Sequence, residues 1–282
     1  MSLLHKKGSV GQEVKRIQRV LNISDDGKFG PKTENAVKEY QSKNNLSDDG
    51  IVGPATRKSM SLDIYAGIDV SHHNGNIPWV NVDQSKVQYV WAKMSQGQDF
   101  YDRQRSRNLE GCRENGIPVG GYHFASPQLG GSDDPKKEVQ CFLKALGPIM
   151  SGDMLPVLDL EAGVKGDPEH NLQWSLEWLK EFENETGLRA IIYTAKWYVN
   201  AYLKGNVGGL IDYPLWVADY TKPFKEGGRY EPDSLLGWDE WSIWQWTSKG
   251  EVQGLSRTGI RLCDRNWLSG GPNAFDKLRV CK

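Results

Sequence analysis

From residue 64 to residue 267 the chain repeats one pattern: a short, nearly continuous apolar run, a polar or helical stretch, and another apolar run. The runs fall at residues 65–71, 89–95, 119–126, 155–161, 190–194, 215–220, 243–247 and 260–266. Val90-Trp91-Ala92 and Ile191-Ile192-Tyr193 are apolar at consecutive positions, as in strands covered on both faces. Helical segments separate the early runs at 105–115, 136–146 and 172–186. The last puts Leu172, Leu176, Leu179 and Phe182 on one stripe and stops at Gly187. Eight strands alternating with helices predict an α/β fold, an irregular TIM-like (β/α) barrel of about 220 residues. The stretch 221–237 has no helical stripe, so the last repeats are expected to be irregular and the parallel barrel incomplete.

The first 62 residues are built differently. They carry 11 Lys/Arg against 7 Asp/Glu, a net +4, which leaves −5 for the rest; all 11 Trp and 27 of the 29 aromatics lie after residue 62. Two domains are expected, 1–62 and 63–282. Within the first, Asp25-Asp26-Gly27-Lys28-Phe29-Gly30-Pro31-Lys32-Thr33 recurs 23 residues later as Asp48-Asp49-Gly50-Ile51-Val52-Gly53-Pro54-Ala55-Thr56. Each copy reads as an Asp-Gly turn, an apolar residue turned inward, and Gly-Pro opening a helix with proline at its first position. Ahead of them, Ser9 and Gln12 suggest a capping box, with Val10, Val14, Ile17 and Leu21 at helical spacing; Val37 and Tyr40 give the second helix a matching face. A small three-helix domain follows, with Lys58 to Leu62 as a short tether.

Composition removes several function classes. A net charge of −1 gives no global attraction to nucleic acid or an anionic membrane. The mean hydropathy is −0.60, and no apolar run approaches the ~20 residues of a membrane helix. Membrane insertion is therefore not expected. Met1 to Val10 has His5, Lys6 and Lys7 but no apolar stretch after them, unlike a secretory leader. A protein made in a cytoplasm and released by another agent is expected. Cys112, Cys141, Cys263 and Cys281 are far apart, without CxxC or neighbouring histidines, so neither a metal site nor a disulfide framework is expected. One loop-closing pair such as Cys263 and Cys281 stays open. No cofactor is called for, and a monomer is the expectation.

Several runs end in polar residues: Asp69 with Ser71 and His72, Tyr122 with His123, Asp159 with Glu161, Asp219 with Tyr220, Gln245, and Asp264 with Asn266. Barrel sites form at the C-terminal ends of strands, so these positions should converge on one mouth. Asp159-Leu160-Glu161 carries the sharpest chemistry. Residues i and i+2 of a strand share a face with Cα atoms roughly 6.6 Å apart, so both carboxylates can enter one cleft while Leu160 faces the other way. Two close acids separate their pKa values into a protonated donor and an ionised partner, the division that glycoside cleavage needs.

Residues 8–60 resemble the peptidoglycan-binding domain type 1 family through the two Asp-Gly-x-x-Gly-x-x-Thr units and the helix before them. Residues 66–267 resemble glycoside hydrolase family 25, the Chalaropsis-type lysozymes. Gly67-Ile68-Asp69-Val70-Ser71, Gly121-Tyr122-His123-Phe124, Pro156-Val157-Leu158-Asp159-Leu160-Glu161, Leu215-Trp216-Val217-Ala218-Asp219-Tyr220, Trp244-Gln245-Trp246 and Asp264-Arg265-Asn266 carry the likeness. The resemblance implies hydrolysis of the β-1,4 bond between N-acetylmuramic acid and N-acetylglucosamine. It implies Glu161 as general acid, and Asp159 as nucleophile or as the group that orients the substrate's acetamido. Asp69 and Asp264 are then flanking acids that tune charge and hold sugar. Tyr122, Trp216, Tyr220 and Trp244 are candidate sugar platforms, Gln245 and Asn266 candidate sugar contacts; of Trp244 and Trp246, strand alternation makes at least one core. Met94-Ser95-Gln96-Gly97 stands where the family usually has Ala-Thr-Glu-Gly, which removes a charge near the mouth.

The expected whole is a bacterial cell-wall muramidase of phage-endolysin type with a wall-binding domain, acting on peptidoglycan with net retention. One alternative is a catalytically dead wall-binding protein, against which both Asp159 and Glu161 speak. Another is a chitinase-like hydrolase, against which Val157 speaks, standing where that family's motif has an aspartate.

Overall fold

The computed structural model describes residues 4–127, 134–221, 231–256 and 259–281, with backbone alone at 259–261. Most of the stretch 221–237 expected to be irregular lies outside the described residues. The strands are β1 (Tyr65–Val70), β2 (Tyr89–Gln96), β3 (Phe100–Tyr101), β4 (Val119–Phe124), β5 (Val157–Leu160), β6 (Ile191–Ala195), β7 (Leu215–Ala218), β8 (Ile243–Ser256) and β9 (Gly259–Leu268). The helices are α1 (Gln12–Val20), α2 (Pro31–Lys43), α3 (Pro54–Ser59), α4 (Arg105–Glu114), α5 (Pro135–Leu146), α6 (Pro168–Thr186), α7 (Lys196–Tyr202) and α8 (Gly271–Lys277).

Strands β1, β2, β4, β5, β6, β7 and β8 run parallel to their neighbours, β3 hangs on β2, and β9 pairs with both β8 and β1. The barrel is closed, not incomplete, and its last strand is antiparallel on both sides. Chain length explains this. A parallel return needs a crossover of a dozen or more residues. Between β8 and β9 there are two, because both strands run on into a long hairpin.

Alternation sorts the side chains into two cores. Tyr89, Trp91, Val157, Ile191, Tyr193, Trp216, Ile243 and Leu268 fill the barrel. Val90, Ala92, Leu158, Leu160, Ile192 and Val217 point outward and pack with residues of the helical layer such as Leu109, Phe142, Trp178 and Phe182. Gly120 makes room for the interior: a Cβ there would stand 2.5 Å from Nε1 of Trp91, which donates to the Leu155 carbonyl at 2.9 Å. Helix α8 closes the end where β1 begins, with Phe275 stacked on Tyr65 at 4.3 Å. The opposite end, where the parallel strands finish, is left for a site.

Ahead of the barrel, α1, α2 and α3 enclose Val14, Ile17, Phe29, Val37, Val52, Met60 and Leu62. The sequence duplication is a duplicated hydrogen-bond device. Gln18 donates to Asp26 Oδ1 at 2.8 Å and Thr33 Oγ1 at 3.0 Å and accepts from Gly27 N at 2.9 Å. Gln41, 23 residues on, does the same with Asp49 at 3.0 Å, Thr56 at 3.1 Å and Gly50 N at 2.9 Å. Each buried amide thus locks an Asp-Gly turn to the helix that follows. Pro31 and Pro54 open α2 and α3, as the Gly-Pro pairs predicted.

The expected capping box of Ser9 and Gln12 does not form. Gly11 is the N-cap of α1, and the backbone N–H groups of Gln12 and Glu13 donate instead to the Glu231 carboxylate from the barrel side. Gly11, at φ 122°, has no space for a side chain: a Cβ would meet Glu231 Oε2 at 2.1 Å. Gln12 exchanges two bonds with the Trp241 main chain, at 3.1 and 2.9 Å. Glu13 is fully buried between Arg57 (2.9 Å), Arg16 (2.7 Å) and Ser269; burial opposes its charge, but Arg57 and Arg16 prevail and hold its carboxyl down to about 2. The segment 58–62 is no free tether, since Met60 and Leu62 lie in the helical core. The helical unit is docked.

Replacing Glu231 with alanine orphans two helix N-terminal donors, a loss on the order of 1–3 kcal/mol. Hydrogen-exchange mass spectrometry should show faster exchange in α1 for Glu231→Ala, with β2 and β5 unchanged. Unaltered exchange in α1 would mean that the carboxylate does not hold the interface.

Candidate active site

A cavity of about 510 Å³ opens where the parallel strands end, lined by Asp69 of β1, Lys93 of β2, Tyr122 of β4, Asp159 and Glu161 of β5 and the residue after it, Tyr193, Trp216, Tyr220, Gln245 and Asp264 among others. The parallel strands bring their C-terminal ends to one level. Asp264 arrives from the other direction, and antiparallel register sets it directly opposite Asp69. Leu160 packs outward into the helical layer while Asp159 and Glu161 both face the cavity, as period-two alternation requires.

Asp69 is the centre of a network. Its Oδ2 accepts from Gln245 Nε2 and Asn266 Nδ2, both at 2.8 Å. The carbonyl ends of those amides are engaged in turn: Gln245 Oε1 accepts from the Tyr193 hydroxyl at 2.8 Å and from that of Tyr220, and Asn266 Oδ1 from the Trp216 indole at 3.0 Å. Both amides therefore have one orientation that satisfies donors and acceptors together. Burial raises the Asp69 carboxyl to about 6, against the two amide donors that favour its charge.

The other three acids are held protonated more strongly than usual. Burial, then the neighbouring Glu161, pushes Asp159 far above the ordinary carboxylate range, and one of its oxygens, Oδ1, is buried with no hydrogen-bond partner among the described residues. Glu161 is raised by burial and by the charge of Asp69. Asp264 is raised to about 8, again by burial first and then Asp69. Lys93 is the counterweight. Its ammonium favours the ionised forms of Asp159 and Glu161, donates to Gln96 Oε1 at 2.8 Å and sits 4.5 Å from the centre of the Phe124 ring. Gln96, at the position that departs from the family pattern, thus holds the lysine by a neutral bond.

The structure brings most of the expected residues together, with four corrections. Trp244 is not a platform: it is 1% exposed, on the outer face of β8 against Trp241 and Trp267, with its indole donating to the Asp219 carbonyl. Asn266 is wholly buried and does not line the cavity; it positions Asp69. His123 faces the helical layer, bonded to Ser95 and Glu138 and stacked on Trp178. Asp219 braces a turn through Thr221 and Asp233, outside this cavity. Trp216, 2% exposed and packed against Trp91 and Tyr193, lines the cavity with little of its ring open. Tyr220, 43% exposed, has a ring that a sugar can reach. Sequence reasoning missed Lys93 and Tyr193. A lysine two places after Trp91 in an otherwise buried run was the available signal, since alternation sends both inward. The four cysteines are free thiols, Cys281 exposed and the others buried.

The sequence model of glycosyl hydrolases family 25 matches residues 68–255, and that of a peptidoglycan binding domain matches residues 10–60. The chain is 30% identical over 195 residues to the uncharacterized protein YegX of Escherichia coli (strain K12), spanning 67% of this chain and 65% of YegX. It is 28% identical over 213 residues to lysozyme M1 of Streptomyces globisporus, spanning 72% of this chain and 67% of that protein. It thus covers about two thirds of the length of these curated relatives. Among solved structures, the bacterial lysozyme from Streptomyces coelicolor aligns with a TM-score of 0.65 at 26% identity, over 76% of this chain and 96% of the other.

Because Asp264 binds its proton more tightly folded than unfolded, the folded state should lose stability as pH rises from about 4 through about 8. Asp264→Asn removes that loss. Its melting temperature should exceed the parent's at about pH 9 and match it near pH 4. A difference independent of pH would contradict the raised carboxyl.

Proposed function

The chain belongs to glycosyl hydrolases family 25, and from that premise we propose that it is a modular muramidase cutting the β-1,4 bond between N-acetylmuramic acid and N-acetylglucosamine in bacterial cell wall. The observation that carries the reading is the pairing of Asp159 and Glu161 in one cavity, with a buried oxygen on Asp159 that has no partner among the described residues.

Glu161 is the proton donor. Its burial and the charge of Asp69 raise its carboxyl above the usual glutamate range, so it holds its proton more tightly than an exposed glutamate does. The free oxygen of Asp159 suits the N–H of the 2-acetamido group. Accepting that bond favours the ionised form of Asp159 and leaves the proton of the pair on Glu161. The acetamido oxygen then attacks the anomeric carbon as the bond to the leaving oxygen breaks and that oxygen takes the proton of Glu161. Water then attacks the anomeric carbon from the face the leaving group left, the bond from that carbon to the acetamido oxygen breaks, and the water gives a proton back to Glu161. Two inversions give net retention. Lys93 limits the repulsion among the four acids, and Asp69 holds the aromatic wall in place through Gln245 and Asn266. The docked helical unit, residues 10–60, is proposed to hold peptidoglycan while the barrel cuts.

Glu161→Gln keeps side-chain volume and removes the donor. Clearing of permeabilised cells should fall to below a few per cent of the parent's rate, with an unchanged circular-dichroism spectrum and undiminished co-sedimentation with wall. Greater residual clearing would take the acid role from Glu161. For stereochemistry, proton NMR of the first-formed reducing end should show the β anomer before mutarotation, and an initial α anomer would exclude retention.

A further inference from the structure

A second groove begins where the acid-lined cavity ends. Its volume is about 620 Å³, and it shares Glu161, Tyr193 and Tyr220 with that cavity before running out between α7 and the end of β7. Trp197, at the second position of α7, is 51% exposed along it; Tyr198 and Tyr202 hold the indole edge-on at 6.2 and 6.3 Å. A half-exposed tryptophan braced by two tyrosines and facing a groove is a stacking surface awaiting a planar or pyranose face. Lys196 and Asn200, one helical turn apart on the same side of α7, edge the groove with donors; Lys196 makes no ion pair among the described residues. The acids on the other wall are engaged: Asp219 accepts from Thr221 and from Asp233 N at 2.7 Å, and Asp233 accepts from the Thr221 hydroxyl.

The groove's direction follows from Glu161. A proton donor addresses the glycosidic oxygen, which lies between the sugar being attacked and the sugar leaving. Asp159 and Asp69 line the first cavity and not this groove, while Glu161 lines both, so the two spaces meet at the donor. Resting on the muramidase reading above, we propose that this groove is the leaving-group side of the cleft, with Trp197 and Tyr220 stacking the N-acetylglucosamine released by cleavage and the sugar after it, and Lys196 and Asn200 donating to their acetamido and hydroxyl oxygens. The occupant is the continuation of the same glycan, since the two spaces meet at a shared catalytic side chain.

The test compares two substrates. One is a glycan tetrasaccharide of alternating N-acetylglucosamine and N-acetylmuramic acid, cut at its central bond, which fills both sides. The other is an aryl β-glycoside of the disaccharide ending in N-acetylmuramic acid, which places no sugar beyond Glu161. Trp197→Ala should lower kcat/KM on the tetrasaccharide about tenfold more than on the aryl glycoside, as expected for one lost stacking surface. Equal losses, or none, would overturn the assignment. Binding separates this from the activity itself: in a Glu161→Gln background, calorimetric affinity for the tetrasaccharide should also fall on adding Trp197→Ala. If the parent cut neither substrate while Trp197→Ala still weakened binding, the hydrolase reading would fail and the groove would stand. If binding were unaffected by Trp197→Ala, the groove assignment would fail whatever the activity.

Discussion

One carboxylate oxygen ties together the strands on which the barrel's closure depends. Asp69 Oδ2 on β1 receives an amide from β8 and another from β9, and those amides reach Tyr193 on β6 and Trp216 on β7. The seam where the antiparallel strand completes the barrel is therefore also the back wall of the cavity. Closing the sheet and aligning the site are one event. A fully parallel eighth strand would have reached the mouth at its C-terminus, whereas β9 passes it in mid-strand and can set Asp264 opposite Asp69.

The same burial that rigidifies this wall makes the site electrostatically tense. Among the described residues four carboxyls share a cavity with one lysine, and desolvation is the leading cause of each upward shift. A protein interior disfavours several neighbouring charges, so the cluster retains protons that water would remove. Tighter proton retention at Glu161, the residue proposed as the donor, is the direct result. Folding stability is the quantity set against it, because ordinary packing would place apolar groups there.

Docking of the helical unit follows a related logic on the opposite sign. Glu13 is buried but neutralised by Arg57 and Arg16, and its neighbour Glu231, raised to about 7 by burial and by Glu13, serves as the missing cap of α1. A helix whose first donors are satisfied by another part of the chain cannot separate from it without exposing them. In the proposed muramidase this fixes the wall-holding helices relative to the cleft, so the glycan presented to the barrel has a restricted approach.

What the sequence alone determined rests on periodicity and local chemistry. Runs apolar at consecutive positions located the strands, Asp-Gly and Gly-Pro located the turns and helix starts, and the i, i+2 spacing of Asp159 and Glu161 put both in one cleft, since alternation needs no tertiary information. Only the tertiary structure decided which tryptophan met the cavity. Trp216 and Trp244 lie in strands covered on both faces, so polarity along the strand does not mark inside from outside. It also decided the hairpin of β8 and β9, whose extension past Thr247 carries exposed Lys249, Glu251 and Gln253 and lacks the buried-strand signature. Asp264 and Asn266 share a strand face and differ only in depth, so register against β1 made one a wall of the cavity and the other a buried support. The partner of α1 lay more than two hundred residues away, at Glu231, and a long-range hydrogen bond leaves no local trace in the sequence that makes it.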